Sequence, residues 1–238
     1  MYEFYPLREV ARLDLNGWKG KLYWFVEFVT MLAVLQLMWI GLTLLGLVIF
    51  GVSPATVGLF GVMRKRMQGQ DELRTLLKNY WVTYKKEFVN SNKIGVILIG
   101  IGYFLIINLQ IALTMKGTYA LFMLTVIVMI SILYAVMSMN IFQVYAHYDL
   151  PFARYFSSSL LLSISFPLQV LGSFIGLYVL YRIFLFIPGL LPFFGVSLTI
   201  LFLTWMSSQI FRLKGEYDGT LQLEEEKNSI QSFKEGAI

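Results

Sequence analysis

QLMWIGLTLLGLVIFGVSPATVGLFGVMRKRMQG, residues Gln36–Gly69, is the stretch that decides the fold. It opens as an unbroken apolar run, meets Gly51, Ser53 and Pro54, and ends in the basic cluster Arg64, Lys65 and Arg66. Proline lacks a backbone N–H and disfavours helix in the residue before it. A serine followed by proline also suits the N-cap and first position of a new helix. The pattern therefore predicts a first membrane helix ending near Phe50 and a hinge at Gly51, Ser53 and Pro54. A second helix then carries Leu59, Phe60 and Met63 to the basic cluster. Basic residues directly after an apolar run mark the cytoplasmic side.

The whole chain has the same character. Apolar residues make up 58% of 238, only 14% are charged, and the mean hydropathy is +0.69. Soluble domains are about one-quarter charged, so this surface calls for lipid. The chain has no cysteine and one histidine, His147, which excludes disulfides, thiolate nucleophiles and Cys/His metal clusters. The net charge of +5 is explained by basic residues at helix ends, and nucleic-acid binding is not expected. From Leu22 the apolar run is too long for the ~7–15-residue core of a cleaved signal and lacks its small-residue site, so it is expected to stay as a membrane helix.

Around this stretch the chain divides into three parts. Residues 1–21 alternate charged and apolar groups, as in an interfacial segment, and residues 22–212 form a single helical membrane domain. Residues 213–238 form a polar cytoplasmic tail containing Glu224–Glu226. Within the membrane domain, about 54–92 is a cytoplasmic-side helical segment. There Leu73, Leu77, Tyr80, Trp81, Tyr84 and Phe88 recur at three- and four-residue spacing, while Arg74, Lys78 and Lys85 take the opposite side. Such a helix is expected to lie on the membrane surface. Further spans are expected at Ile94–Thr114, Tyr119–Tyr145, Phe156–Tyr181 with a kink at Pro167, and Phe193–Phe211. The fold class is thus all-α, a polytopic helical membrane protein of about five transmembrane helices plus the amphipathic segment.

Segment 64–93 is the richest in Lys and Arg, which puts it in the cytoplasm. With five spans the N-terminus then falls outside, against the sense of Arg8, Arg12, Lys19 and Lys21. Folding Leu22–Met63 into a hairpin would give six spans and place both termini inside. No polar turn sits near Gly41–Thr43, so five spans are preferred.

The block VLQLMWIGLTLLGLVIFGVSPATVGLFGVMRKRMQG followed by FVNSNKIGVILIGIGYFLI resembles the YesL-like family of bacterial membrane proteins of unknown function. The Leu/Trp-rich first helix, the break with Gly51, Pro54, Ala55 and Thr56, the basic helix to Arg66 and the aromatic-basic segment Tyr80–Phe88 carry the resemblance, over roughly residues 20–212. Members are often encoded beside carbohydrate ABC importers, so the resemblance implies an accessory membrane protein of sugar uptake. It brings no catalytic residues.

The residues themselves offer little chemistry. A phosphate-binding glycine loop, a Gly-x-Ser-x-Gly elbow and a His-Glu-x-x-His motif are all lacking. His147 and Asp149 read as an interfacial loop, and no enzyme activity and no cofactor are expected. A transporter needs polar groups at the bilayer midplane. Gln169 with Ser163 and Ser165 is the only central candidate, and it leaves an oligomeric transporter or channel as the alternative. Gly172 and Gly176 are spaced for close helix packing, either internally or in a homo-oligomer. Arg64, Lys65, Arg66, Arg74, Lys78, Trp81, Lys85 and Lys86 form a basic surface. It suits anionic lipid, as in a membrane scaffold, or an importer's permease or ATPase subunit. The expected location is the bacterial plasma membrane.

Overall fold

A computed structural model describes residues 18–69, 72–148 and 150–209. Of the predicted N-terminal segment only Trp18–Lys21 falls within these, already helical. The tail 213–238 and Asp149 lie outside the described residues.

The described chain is built from helices. In order they are α1 (Trp18–Leu45), α2 (Ile49–Met67), α3 (Leu73–Thr114), α4 (Thr118–His147), α5 (Phe152–Ser165) and α6 (Pro167–Phe186). The last, α7, occupies Pro188–Gln209 and opens with a 3-10 turn at Pro188–Leu190. Five of the segments, α1, α3, α4, α6 and α7, are long and apolar enough to cross a membrane. The all-α membrane architecture stands as expected.

Three expected boundaries move. The first is the hinge. α1 stops at Leu45, and the chain reverses through Gly46, Leu47 and Val48, the last two at φ of +56° and +64°. Gly51, Ser53 and Pro54 lie inside α2, not at its start. The turn needs no polar residues because the backbone satisfies itself. Gly46 N–H donates to Leu42 O at 3.1 Å, Leu47 N–H to Leu44 O at 3.0 Å and Val48 N–H to Thr43 O at 2.9 Å. The reversal is so tight that a Cβ on Gly46 would overlap the backbone of Gly51, and one on Gly51 would overlap Thr43. Glycine spacing thus makes the turn that proline was expected to make.

Pro54, the sixth residue of α2, cannot donate to the carbonyl of Phe50. Asn92 of α3 replaces the missing donor, its Nδ2 lying 2.8 Å from Phe50 O. This cross-helix bond lets a proline sit inside a continuous helix.

The reversal makes α1 and α2 an antiparallel hairpin. Trp39 Nε1 donates to Thr56 Oγ1 across it at 3.3 Å, and Tyr23–Met31 share a cavity wall with Arg66 and Leu73. The start of α1 therefore lies on the Arg64–Arg66 side, not on the opposite side as five-span counting required. α2 does not read as a span because its 19 residues close on Arg64, Lys65 and Arg66, and much of it is buried in protein. Gly51, Ser53, Pro54, Ala55, Val57–Phe60, Val62 and Met63 are all buried.

The second boundary is in α3. Residues 73–114 form one 42-residue helix, about 63 Å at 1.5 Å per residue, in place of a surface helix and a separate span. No proline interrupts it, and Ser91 and Asn92 turn their polar groups back onto Phe88 O. Its apolar stripe does not face lipid. Leu76, Tyr80 and Tyr84 are buried in one core with Leu35, Leu42, Leu59, Met63 and Leu203. Tyr80 donates to Ala55 O at 2.8 Å and Tyr84 to Leu42 O at 2.9 Å.

A second core joins Ile94 and Leu98 of α3, Ile141 and Val144 of α4 and Tyr155 of α5. The kink expected at Pro167 is a full break, where Phe166 (φ −126°, ψ 63°) separates α5 from α6 and Pro167 starts the new helix. Large apolar side chains on α1, the distal halves of α3 and α4, and α6 stay exposed. They form the surface that a bilayer would cover.

Candidate functional site

Arg64 is the residue around which the polar end of the bundle is assembled. It sits in the last turn of α2. Its Nη1 donates to the terminal carbonyls of α4, Ala146 O at 2.8 Å and His147 O at 3.3 Å. A cation placed on the last carbonyls of a helix satisfies their lone pairs and its dipole. The bond fixes the guanidinium and ties the ends of α2 and α4 to one side. Its Nε is buried and has no hydrogen-bond partner.

Two cavities open on either side of Arg64. One, of about 480 Å³, has the charged and polar lining of Arg64, Lys65, Gln68, Thr83, Lys86, Glu87, Asn90 and Tyr145. Glu87 accepts from Tyr145 Oη at 2.5 Å and lies 3.6 Å from Lys86 Nζ. The other, of about 310 Å³, is lined by Phe60, Arg64, Gln143, His147, Thr204 and Ser207 among others. It brings the end of α7 to the same side as the ends of α2 and α4.

The predicted basic surface is thereby divided. Arg64, Lys65 and Lys86 converge on one cavity, while Arg66 lines a separate one with Glu27 of α1. Arg74, Lys78, Trp81 and Lys85 are on the outer face of α3, where Lys85 Nζ stands 4.5 Å over the Trp81 ring. Such a contact contributes about 0.5–1 kcal/mol at an exposed site and holds both side chains in place.

The predicted membrane site is not assembled. Ser163 is buried and accepts from Asn140 Nδ2 at 2.8 Å, Gln169 donates to Met206 O of α7, and Ser165 is exposed at the end of α5. Ser163 and Gln169 belong to different helix contacts. Gly172 and Gly176 pack internally, where added Cβ atoms would run into Met206 and the Phe202 ring of α7.

Sequence reasoning passed over three residues that the structure makes central. Asn92 supplies the donor that Pro54 lacks. Gln36, buried in the middle of α1, accepts from the backbone N–H groups of Val196 (3.0 Å) and Ser197 (2.8 Å) and so joins α1 to α7. Glu87 places a carboxylate in the basic cavity. A lone glutamine in an apolar helix was the available signal for Gln36. Nothing in spacing linked Asn92 to Pro54, 38 positions apart in the numbering.

These features define a polytopic helical membrane protein with a reversed first helix pair and a basic cavity at the ends of α2 and α4. The chain belongs to the YesL-like family, and residues 32–109 match the family described as "Protein of unknown function, DUF624". That match runs from the middle of α1 through α2 into α3 and includes every residue of the turn and Asn92. Three Bacillus subtilis (strain 168) proteins are similar. "Uncharacterized protein YteU" is 38% identical over 187 residues, 78% of this chain and 83% of that protein. "Uncharacterized protein YesV" is 32% identical over 195 residues, 80% and 91% of the two chains. "Uncharacterized protein YesL" is 32% identical over 188 residues, 79% and 88%. No solved structure matches this chain significantly.

Proposed function

We propose that the protein is a non-catalytic accessory subunit of the bacterial plasma membrane that docks on a carbohydrate ABC importer. The docking face is the outer side of α3 bearing Arg74, Lys78, Trp81 and Lys85. One observation carries this reading. The apolar stripe of the same helix is already buried against α2 and α7, so the helix is held by protein and its basic-aromatic side stays presented. A lipid-lying helix would need that stripe for the membrane, which favours a protein partner over a lipid scaffold. The link to carbohydrate uptake comes from the YesL-like resemblance, and the partners it implies are permease or ATPase subunits. The reading needs no cofactor and no nucleic acid. The engagement of Ser163 and Gln169 in separate helix contacts gives no support to a transport site.

Affinity purification of the tagged full-length protein in mild detergent is the test. Importer subunits are expected with the wild type and should be lost with Lys78→Glu/Lys85→Glu. Recovery of no importer subunit, with sugar uptake unchanged in a deletion strain, would overturn the assignment.

A further inference from the structure

The cavity between α2, α3 and the end of α4 has a composition that docking on the outer face of α3 does not use. Three cations line it, Arg64, Lys65 and Lys86, against one carboxylate, Glu87. That leaves a surplus of two positive charges. Glu87 is engaged by Tyr145 Oη and Lys86 Nζ, and among the described residues neither Arg64 nor Lys65 has an ion pair. Lys86 is exposed and Arg64 and Lys65 are half-buried, and like charges gathered round one cavity repel one another, so an anion between them would relieve the repulsion.

The donors narrow the kind of anion. The Arg64 guanidinium is fixed by Ala146 O and His147 O, both through Nη1, which leaves Nη2 for a ligand at the cavity wall. A guanidinium held in one orientation suits paired oxygens of a tetrahedral anion. Lys65, Lys86, Thr83, Asn90 and Gln68 supply further donors around the same space. A volume of about 480 Å³ holds a phosphate group with a small attached polar group, whereas an acidic peptide would need an open groove. The cavity also lies on the basic side of the molecule, where anionic headgroups collect at a cytoplasmic membrane surface.

We infer that this cavity, lined by Arg64, Lys65 and Lys86, is a binding site for a phosphate group. The phosphate belongs to the headgroup of an anionic phospholipid or to a soluble phosphate. Arg64 grips it, Lys65 and Lys86 neutralise it, and Glu87 holds Lys86 and Tyr145 at the rim. Occupancy would bridge α2, α3 and α4 and so stiffen the docking end of the bundle. The inference is independent of the importer, since it concerns a ligand of this chain alone.

Full-length protein in nanodiscs of phosphatidylcholine, with and without phosphatidylglycerol, gives the test. Native mass spectrometry reads lipid retained after ejection, and calorimetry in detergent reads inorganic phosphate. Lys65→Gln/Lys86→Gln is the cavity variant; neither residue caps a helix, so the fold should survive, checked by circular dichroism. Lys78→Gln/Lys85→Gln removes the same charge outside the cavity. Wild type and outer-face variant should bind alike, and the cavity variant about tenfold or more weaker, as expected for losing charge-assisted bonds. Retained phosphatidylglycerol without heat from phosphate assigns the lipid, and the converse assigns the soluble anion. Binding of neither, or equal weakening by both variants, would overturn the site.

Discussion

The bond between Asn92 and the Phe50 carbonyl lends itself to a double-mutant cycle. Pro54 leaves that carbonyl without its helical partner, and Asn92 Nδ2 supplies one at 2.8 Å. Ile49 and Phe50 beside it are exposed and apolar, at 67% and 50%, so neither side chain can replace the lost donor. Asn92→Leu keeps the branched shape and removes the donor. Orphaning one backbone carbonyl in such surroundings costs about 1–3 kcal/mol. Asn92 Nδ2 also donates to Phe88 O at 2.8 Å. Phe88 O already accepts the helical N–H of residue 92, so its loss adds little.

In a Pro54→Ala background residue 54 regains its N–H and can close the α2 ladder onto Phe50 O. Asn92→Leu should then cost less than about 0.5 kcal/mol, a coupling of about 1–2 kcal/mol. Pro54 is itself fully buried, and the loss of its ring shifts both corners that carry Pro54→Ala equally, so it cancels in the cycle. Equilibrium unfolding in mixed micelles, followed by far-UV circular dichroism, measures the four corners. Equal losses in the proline and alanine backgrounds would refute the claim that Asn92 serves the proline.

The absence of cysteine from the sequence makes single-cysteine labelling direct for the hairpin. Cysteines replacing Lys19 and Gly69 should react from one side of the membrane and one replacing Lys116 from the other; labelling of position 19 together with 116 would break the α1–α2 hairpin. Gly46→Val should abolish the tight reversal and lower folded yield severalfold, measured by size-exclusion chromatography, because the added atoms overlap Gly51. Gln36→Leu leaves the Val196 and Ser197 N–H groups without their shared acceptor, and about 1–3 kcal/mol of stability should be lost in the same unfolding assay. Gly176→Ala meets the Phe202 ring and should cost about 1–3 kcal/mol, with Phe202→Leu restoring part of it; no rescue would place Gly176 at a different contact.

The sequence made the helices legible because long apolar runs and basic ends carry their own signal. Tyr119–Tyr145 needed nothing else and lies within α4 as observed. Where expectation and structure part, the deciding interactions link residues distant in sequence. A turn of Gly46, Leu47 and Val48 contains no polar side chain, so a search for polar turns passes it by; its hydrogen bonds are all backbone, and its requirement is steric, written only as two glycines five apart. Pro54 drew attention because it is the strongest local breaker, yet its effect is cancelled by Asn92 on another helix. The amphipathic stripe of α3 was read correctly as a stripe, but periodicity names a face and not what covers it, and α2 covers it before lipid can.

The same limit applies to the candidate site, and it explains which part of the basic surface carries more meaning. The seven Lys and Arg of this surface looked equivalent in sequence, since basic residues at a membrane end all serve orientation. Packing separates them by what they can still do. Arg74, Lys78 and Lys85 stand on the outer face of α3, whereas Arg64 is pinned by the end of α4 and Lys65 and Lys86 line the same cavity. A charge kept for orientation needs neither a fixed guanidinium nor two other cations around one cavity, and like charges gathered there repel one another. Their joint presence beside a single engaged carboxylate is therefore better explained by a ligand than by topology, and the cavity variant and the outer-face variant, equal in charge, separate the two.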